Sequence, residues 1–559
     1  MNIEELVEAY YKNKDQEDDY VFGEELTEAI RSQHATGEID VLKLFVELKK
    51  DSPHFFTSFY ILEELVKIID LDIYLVFDCY LHLANESGND GASGEPKRIF
   101  INYLSTQKES FDTFFENVLK EDKYNQYLDW FLLAGYRINK QLYIEKSIEL
   151  LETDNEHLLR LVIFSLSLCE TISQEYIFII LKKIGKILQE ESTELYLVIL
   201  RFLVSVGNKD SCYETEILLL SDRILLHIDD DLIHNCACFL RFNNNNMLGE
   251  LELKFIEVIL RVNPNNKGTL QQIDYWLMNL VSKKEITKIL DFVATFNHKN
   301  NIILDLSIFD HFSKSFFNTQ ETLEKLITAI FLSQNFRLIG SFYHIWNVML
   351  HDKNNISVDI NQLHSTVIHN PSLYLAKKAY SWLFIYPESM VSYIFSLLLH
   401  TKKNEQEGMK EILRYIVLNY PTLFTKYFQN HIKNNKKNKW IYDEKILIDQ
   451  YLEDLNKLPK LLELHTSKEN RAYRNMIWQD QVAIGFKSAH KDGFLSLISR
   501  QTILYGRGSI SKVDNFPRQE SVLHTMGRNT FLPMMHSLDP HGHGLILKEY
   551  KKDNCKEDL

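Results

Sequence analysis

The stretch SKKEITKILDFV, residues 282–293, shows the pattern that decides the fold class. Ser282 and Glu285 stand three residues apart, which is the spacing of a capping box at a helix N-terminus. Apolar residues then follow at three- and four-residue intervals from Ile286 to Val293, so they fall on one face of a helix. The stretch therefore predicts an amphipathic helix that begins near the serine.

The same pattern recurs along the first half of the chain. A threonine precedes a glutamate or glutamine by three residues, just before an apolar-periodic run, at Thr106/Glu109, Thr153/Glu156 and Thr171/Gln174. The chain holds 10 prolines in 559 residues, and none falls between Pro96 and Pro264. Because proline breaks a helix interior and no apolar/polar alternation marks strands, the sequence predicts helix after helix.

Proline reappears in the second half at places where helices are predicted to begin. Pro371, Pro387 and Pro421 each precede an apolar-periodic run, and a proline at the first helical position loses no hydrogen bond. The breaks between runs are short and polar, for example at residues 207–210 and 263–268. Short connections favour antiparallel neighbouring helices.

Serial helices with short turns resemble the HEAT and armadillo class of α-solenoids, in which helix pairs of about 40 residues stack into a superhelix. The resemblance covers residues 98–465 and implies a protein-binding scaffold, because stacked repeats offer a long surface and little catalytic apparatus. The helix starts are irregularly spaced, so an irregular multi-helix domain is the alternative. The predicted fold class is all-α, with stacked antiparallel helices and a smaller C-terminal module of mixed or irregular structure.

Changes in composition predict four parts of the chain. Residues 1–84 form an N-terminal helical region, 85–97 an exposed linker rich in glycine and serine, and 98–465 the solenoid-like body. In residues 466–559 glycine becomes frequent and basic residues outnumber acidic ones. We expect these last residues to form a distinct module.

Charge and cysteine usage exclude several classes of protein. The net charge of -15 disfavours a general phosphate-binding surface, since an acidic field repels a polyanion. The six cysteines show no paired spacing, which is typical of a reducing compartment, and Cys236 and Cys238 are interpreted as structural. The N-terminus is acidic where a signal peptide is basic, and no apolar run approaches the roughly 20 residues of a membrane span. We therefore expect a cytoplasmic protein without a membrane partner.

The sequence contains no phosphate loop, zinc-binding helix, nucleophile elbow or Cys-x-x-Cys motif. Its densest group of ligating side chains lies in a predicted loop near the C-terminus and comprises His536, Asp539, His541 and His543. Such side chains in an irregular loop can converge on a divalent metal, or the carboxylate can orient a histidine as general base. A solvated turn is the alternative, and the identity of any metal is left open.

Basic side chains are concentrated in the C-terminal module, with ten of them against five acidic ones in residues 468–528. Nine could contact an anion or a nucleic acid: Arg471, Arg474, Lys487, Lys491, Arg500, Arg507, Lys512, Arg518 and Arg528. Docking of the module onto the acidic helical body is an equally supported alternative. Within it, the strand-like run from Gln501 to Tyr505 and the following glycines predict a hairpin or an anion-binding turn.

Three functions are open at this point. The preferred one is a non-enzymatic scaffold or adaptor that binds a protein partner and uses no cofactor. The alternatives are a nucleic-acid-associated accessory protein that uses the basic module, and a metal-dependent hydrolase or transferase that uses the C-terminal histidines. The bias toward Asn, Lys and Ile indicates an AT-rich, bacterial genome, where large helical proteins without motifs often serve in multi-gene systems such as phage defence.

Overall fold

The structure is a computed structural model of the 559-residue chain. It describes residues 3–13, 22–88, 92, 94–189, 195–243, 247–350, 355–431, 439–457, 472, 476, 479–480, 500–505, 508–513, 519–522, 533, 535 and 539–553. These residues form two compact units, Met1–Glu285 with Ile308–Phe312, and Ile286–Ser307 with Ser313–Leu559. The division lies inside the predicted body 98–465.

The first unit contains seventeen described helices. They are α1 (Ile3–Asn13), α2 (Glu24–Ala35), α3 (Lys43–Val46), α4 (Phe55–Ile68), α5 (Ile73–Ser87), α6 (Glu95–Leu104), α7 (Lys108–Lys120), α8 (Asp122–Asn125), α9 (Leu128–Ile138), α10 (Lys140–Leu150), α11 (Glu156–Leu168), α12 (Gln174–Ile187), α13 (Tyr196–Gly207), α14 (Glu214–Ile224), α15 (Asp230–Phe242), α16 (Gly249–Ile259) and α17 (Lys267–Ser282). Because α5 extends to Ser87 and α6 begins at Glu95, the segment between them is shorter than the predicted linker 85–97.

The helices from α9 to α17 stack in two rows. The odd-numbered helices of this stretch each contact the next odd-numbered helix, and the even-numbered ones do the same. Ion pairs join α10 to the preceding α7 at Lys146–Glu116, α12 to the turn that follows α10 at Lys183–Glu152, and α16 to α14 at Lys254–Asp222. On the odd-numbered helices, Val162, Ile199 and Ile273 are fully buried, and burial of such a side chain stabilises the fold by about 1.5–3 kcal/mol. This serial stacking confirms the predicted all-α, solenoid-like fold.

The prediction that Ser282 caps the start of a helix is wrong. Ser282 is the last residue of α17, and its hydroxyl donates back to the carbonyl oxygen of Met278 at 3.2 Å. Lys284 follows in the left-handed region, with φ at 61°, so the chain turns there and the next helix begins at Ile286. The serine therefore ends one helix instead of starting the next.

Asparagine displaces the predicted threonine at the start of α11. Asn155 is the N-cap and accepts a hydrogen bond from the backbone amide of Leu158 at 3.2 Å, whereas the Thr153 hydroxyl accepts from the amide of Asn155. The N-caps of α7 and α12 are likewise Gln107 and Ser173, close to the predicted threonines but not identical with them. The sequence pattern thus located these helix starts within a few residues without identifying the caps.

The second unit contains the remaining described helices, of which α19 crosses the division between the units. They are α18 (Ile286–Asn300), α19 (Asp310–Lys314), α20 (Gln320–Leu332), α21 (Phe336–Tyr343), α22 (Trp346–Met349), α23 (Ile360–Ser365), α24 (Pro371–Trp382), α25 (Pro387–Leu398), α26 (Gln406–Asn419), α27 (Pro421–His431), α28 (Lys439–Lys457) and α29 (Pro540–Lys552). The three predicted proline starts are confirmed at α24, α25 and α27. Helix α24 contacts α20, α25, α26 and α29, and thus forms the centre of this unit.

The described residues between α28 and α29 include a small antiparallel sheet. Its strands are β1 (Arg500–Tyr505), β2 (Gly508–Val513) and β3 (Gln519–Val522), in that spatial order. β1 and β2 pair antiparallel, with Tyr505 opposite Gly508, as the predicted hairpin requires. Within the described part of the chain, no helix has the length and apolar character needed to cross a membrane.

Candidate functional site

The candidate site is a groove on the second unit that holds helix α29. The helix begins at Pro540 because the carboxylate of Asp539 accepts a hydrogen bond from the backbone amide of Gly542 at 2.9 Å. Proline at the first helical position needs no amide partner and supports the same start. The predicted loop is therefore wrong for residues 540–552, which are helical.

Two side chains of α29, two turns apart, anchor it in the groove. His543 and Tyr550 are 2% and 5% exposed, and both face the ring of Tyr380 on α24. The imidazole Nε2 of His543 lies 3.4 Å from the Tyr380 hydroxyl, and its ring also meets the edge of Phe384. Spacing of seven residues places both anchors on one face, as expected for a helix that lies along a groove.

Two adjacent lysines of α24, here called the lysine clamp, hold the end of α29. Lys378 is fully buried, and its ammonium donates to the carbonyl oxygens of Tyr550 at 3.0 Å and Lys551 at 2.7 Å. Lys377 forms an ion pair with Asp553, the residue after the helix, at 2.8 Å. The last carbonyl groups of a helix lack intrahelical partners and carry partial negative charge, so cations there are favourable.

A third cation comes from α29 itself. The ammonium of Lys551 lies 4.5 Å from the centre of the Trp382 ring and 5.3 Å from that of Tyr343. Burial lowers the pKa of Lys551, because the partly buried site disfavours the charged form. Contact with two aromatic faces offsets part of that cost and fixes the last turn of α29 between α21 and α24.

The chain that leads into α29 is also fixed, by the buried amide of Asn419 on α26. Its oxygen accepts a hydrogen bond from the backbone amide of Met535 at 2.9 Å, and its nitrogen donates to the hydroxyl of Tyr380 at 2.9 Å. Burial also raises the pKa of Tyr380, with the neighbouring Tyr415 as a smaller cause, so the phenol stays neutral. The groove thus contacts the entry, the middle and the end of α29.

The structure does not gather the predicted metal or acid/base residues into one site. The carboxylate of Asp539 caps the helix, His541 is exposed, and His543 is buried against α24. His536 lies outside the described residues. Among the residues that are described, no group of three histidine, cysteine or acidic side chains could hold a metal ion.

The predicted anion and nucleic-acid contacts fall outside what the structure describes. Arg500 and Lys512 lie on β1 and β2, where only the backbone is described. The other members of the set lie beyond the described residues: Arg471, Arg474, Lys487, Lys491, Arg507, Arg518 and Arg528. Their role stays a prediction.

The described residues of the first unit do contain a carboxylate–imidazole pair that was not predicted. Asp274 accepts from Nδ1 of His311 at 2.9 Å, and the Nε2 of that ring lies 3.3 Å from the hydroxyl of Tyr275. The same carboxylate also accepts from the backbone amides of His311 and Phe312, at 3.0 and 2.7 Å. Asp274 thus acts as a cap that holds the returning segment Ile308–Phe312.

The predicted structural role of the clustered cysteines agrees with their environment. Cys236 is fully buried on α15, and burial raises its pKa, so its thiol stays protonated. Cys238 is partly buried, its sulfur lies 3.6 Å from Nε2 of His234, and burial raises its pKa as well. Neither thiol has the lowered pKa that a reactive cysteine requires.

The sequence analysis missed the lysine clamp. Lys378 stands four residues after Tyr374 and three before Ser381, both buried, so its position lies on the apolar face of α24. A lysine on such a face is almost never fully buried without a partner, and this was the available signal. No family model matches the chain, and neither a curated protein nor a solved structure matches it.

Proposed function

We propose that the protein is a non-enzymatic helical scaffold or adaptor that binds a segment of a partner protein. The observation that supports this is the set of contacts by which the groove binds α29. A helix that follows α28 only after residues 458–539 is held by two side-chain anchors, a lysine clamp at its end and a fixed entry segment. Proteins that bind partner helices in grooves also use side-chain anchors spaced along one helix face, as His543 and Tyr550 are here.

The electrostatics of the described core supports a structural role as well. Tyr136 and Tyr393 are fully enclosed, and burial raises the pKa of each well above that of a free tyrosine. Their hydroxyls bond to neighbouring hydroxyl groups, at 2.8 Å to Ser147 and at 3.1 Å to Thr328. Such groups stay neutral at physiological pH and stabilise packing instead of moving protons.

We place the protein and its partner in the cytoplasm. Five cysteines are described, and all five are free thiols, although Cys212 is exposed. Free thiols of this kind persist in a reducing compartment. A role in a bacterial multi-gene system such as phage defence is part of the same proposal and rests on composition alone. No contact among the described residues favours the nucleic-acid or the hydrolase alternative over the scaffold.

The proposal is tested by purifying the tagged full-length chain from its native host. We expect a protein that copurifies in stoichiometric amounts and stays bound through gel filtration. Excess synthetic peptide with the sequence of residues 539–553 should release it, whereas the same peptide with Tyr550→Ala should not. If no protein copurifies in stoichiometric amounts, the scaffold proposal is refuted.

A further inference from the structure

The lysine clamp contacts features that many helices share. Lys378 donates to two main-chain carbonyl oxygens, which are present at the end of any helix whatever its sequence. The ion pair of Lys377 with Asp553 instead involves a side chain, a carboxylate just after the last turn. The clamp therefore selects a helix end followed by an acidic group.

The sequence of helix α29 is a poor helix former, and this lowers the free energy of its docking in the groove. His543 and Tyr550 are the buried residues of this helix, whereas Leu545 is 55% exposed. The first turns contain Gly542 and Gly544, and each glycine lowers helix stability relative to alanine. A methyl group at Gly542 would collide with the capping carboxylate, but nothing lies within 4 Å of one added at Gly544. A better helix former with the same anchors would therefore bind the groove more tightly.

We infer that the groove binds the C-terminal end of an amphipathic helix from a partner protein, a helix followed directly by a carboxylate, and that α29 occupies the site until this helix displaces it. The inference rests on the proposed scaffold function and adds the chemistry of the partner and the regulation of the site. Since the intramolecular helix competes with the partner, the apparent Kd of the partner equals its intrinsic Kd divided by the fraction of open grooves.

The probe is a fluorescein-labelled peptide with the sequence of residues 539–553 and alanine in place of Gly544, and its binding to the full-length chain is followed by fluorescence anisotropy. Tyr550→Ala in the chain removes an anchor of α29 and leaves the groove intact, so we expect the apparent Kd to fall at least tenfold. Gly544→Ala in the chain should strengthen α29 and raise the apparent Kd about two- to fivefold. Lys548→Ala, on the exposed side of α29, is the matched control and should change nothing.

The clamp is tested in the chain that already carries Tyr550→Ala. Lys378→Met alone weakens the binding of the probe and the docking of α29 by the same contact, so the two effects cancel in the apparent Kd. In the Tyr550→Ala chain it should weaken probe binding at least tenfold. Replacing the carboxylate in the probe, Asp553→Asn, should weaken binding about two- to fivefold, as expected for a partly exposed ion pair.

A displaceable helix differs from ordinary packing in the direction of two effects on the apparent Kd. Tyr550→Ala should lower it, and Lys378→Met in the Tyr550→Ala chain should raise it. If Tyr550→Ala leaves the apparent Kd unchanged, or if Lys378→Met has no effect in that chain, the inference is overturned. An unchanged Kd for the Asp553→Asn probe overturns the acidic requirement. A concentration-dependent dimer of the chain that Lys378→Met abolishes would assign the groove to a second copy and would also overturn it.

The two proposals fail in different ways. A stoichiometric partner whose binding responds to none of these substitutions leaves the scaffold function standing and overturns the groove as its site. The expected pattern with the peptide, together with no protein partner in the host, overturns the scaffold function while the chemistry of the groove stands.

Discussion

Replacing Lys378 by methionine removes the ammonium at the end of α29 and keeps a side chain of similar length. Each hydrogen bond from a charged group contributes about 1.5–3 kcal/mol, so the two bonds, at 3.0 and 2.7 Å, together contribute about 3–6 kcal/mol. Methionine avoids the cost of burying the ammonium, which offsets part of this loss. We expect α29 to lose about 2–4 kcal/mol of docking free energy, roughly 30- to 700-fold in its docking equilibrium.

Hydrogen exchange measured by mass spectrometry reports this loss directly, because amides of a docked helix exchange only when the helix opens. In the Lys378→Met chain we expect the protection of amides in residues 543–552 against exchange to fall by roughly 30- to 700-fold. Protection of the helices in the first unit should stay the same. Lys548→Met is the matched control, since it makes the same change on the exposed side of α29 and the two residues have similar helix propensities.

Two results would refute the reasoning. If α29 exchanges at the same rate in the Lys378→Met and Lys548→Met chains, the buried ammonium does not hold the helix end. If protection is lost throughout the second unit instead of in α29, Lys378 stabilises the core of that unit and not the contact with the helix.

Three further predictions concern stability, each measured by urea or thermal unfolding. Gly135→Ala should destabilise by about 1–3 kcal/mol because its methyl group would lie 2.4 Å from a tyrosine ring, whereas Gly185→Ala, with 3.6 Å to its nearest neighbour, should stabilise by about 0.5–1 kcal/mol. Asp274→Ala should lower the free energy of unfolding by about 2–4 kcal/mol, since it leaves two backbone amides without their acceptor. The control Asp222→Ala removes one partner of an exposed ion pair and should lower it by less than about 1 kcal/mol. Burial lowers the pKa of His400 below its ordinary 6.5, so as the pH falls the unfolded chain takes up this proton before the folded chain does. The free energy of unfolding should therefore decrease as the pH drops from 6.5 toward the pKa of the folded state. His400→Gln should reduce that decrease.

The fold class followed from local patterns because helices are local structures. Apolar residues at three- and four-residue spacing identify a buried face, and Pro371, Pro387 and Pro421 identify the first residue of a helix. The caps were harder, because serine, threonine, asparagine and aspartate all satisfy the same backbone amides. At α11, Asn155 stood within the predicted box and took the role assigned to Thr153.

Helix α29 shows where composition misled the interpretation. Asp539 followed by Pro540 is a cap followed by a favoured first helical residue, and both signals were in the sequence. The glycines and histidines after them indicated a loop instead. Tertiary contacts outweigh the low helix propensity of these residues, since His543 and Tyr550 are buried against a helix far away in the chain.

The groove could not be predicted from the sequence because its contacts are remote. Lys378 is bonded to a residue 172 positions further along the chain, and no local pattern reports such a distance. What the sequence did show is a lysine on the apolar face of a helix. That signal indicates a buried charge with a partner elsewhere, but it does not identify the partner.

A buried ammonium is a poor choice if the only task of the groove is to keep α29 in place. Its burial costs desolvation free energy, and replacing both sides of such a contact by apolar groups of similar volume often leaves stability unchanged or increased, whereas methionine at 378 alone leaves two carbonyl oxygens without their donor. A charge is useful where the contact must distinguish one end of a helix from the other, because the C-terminal end presents unpaired carbonyl oxygens and the N-terminal end presents unpaired amides. If the groove selects among helices, as we infer, the desolvation cost of Lys378 is the cost of that selectivity.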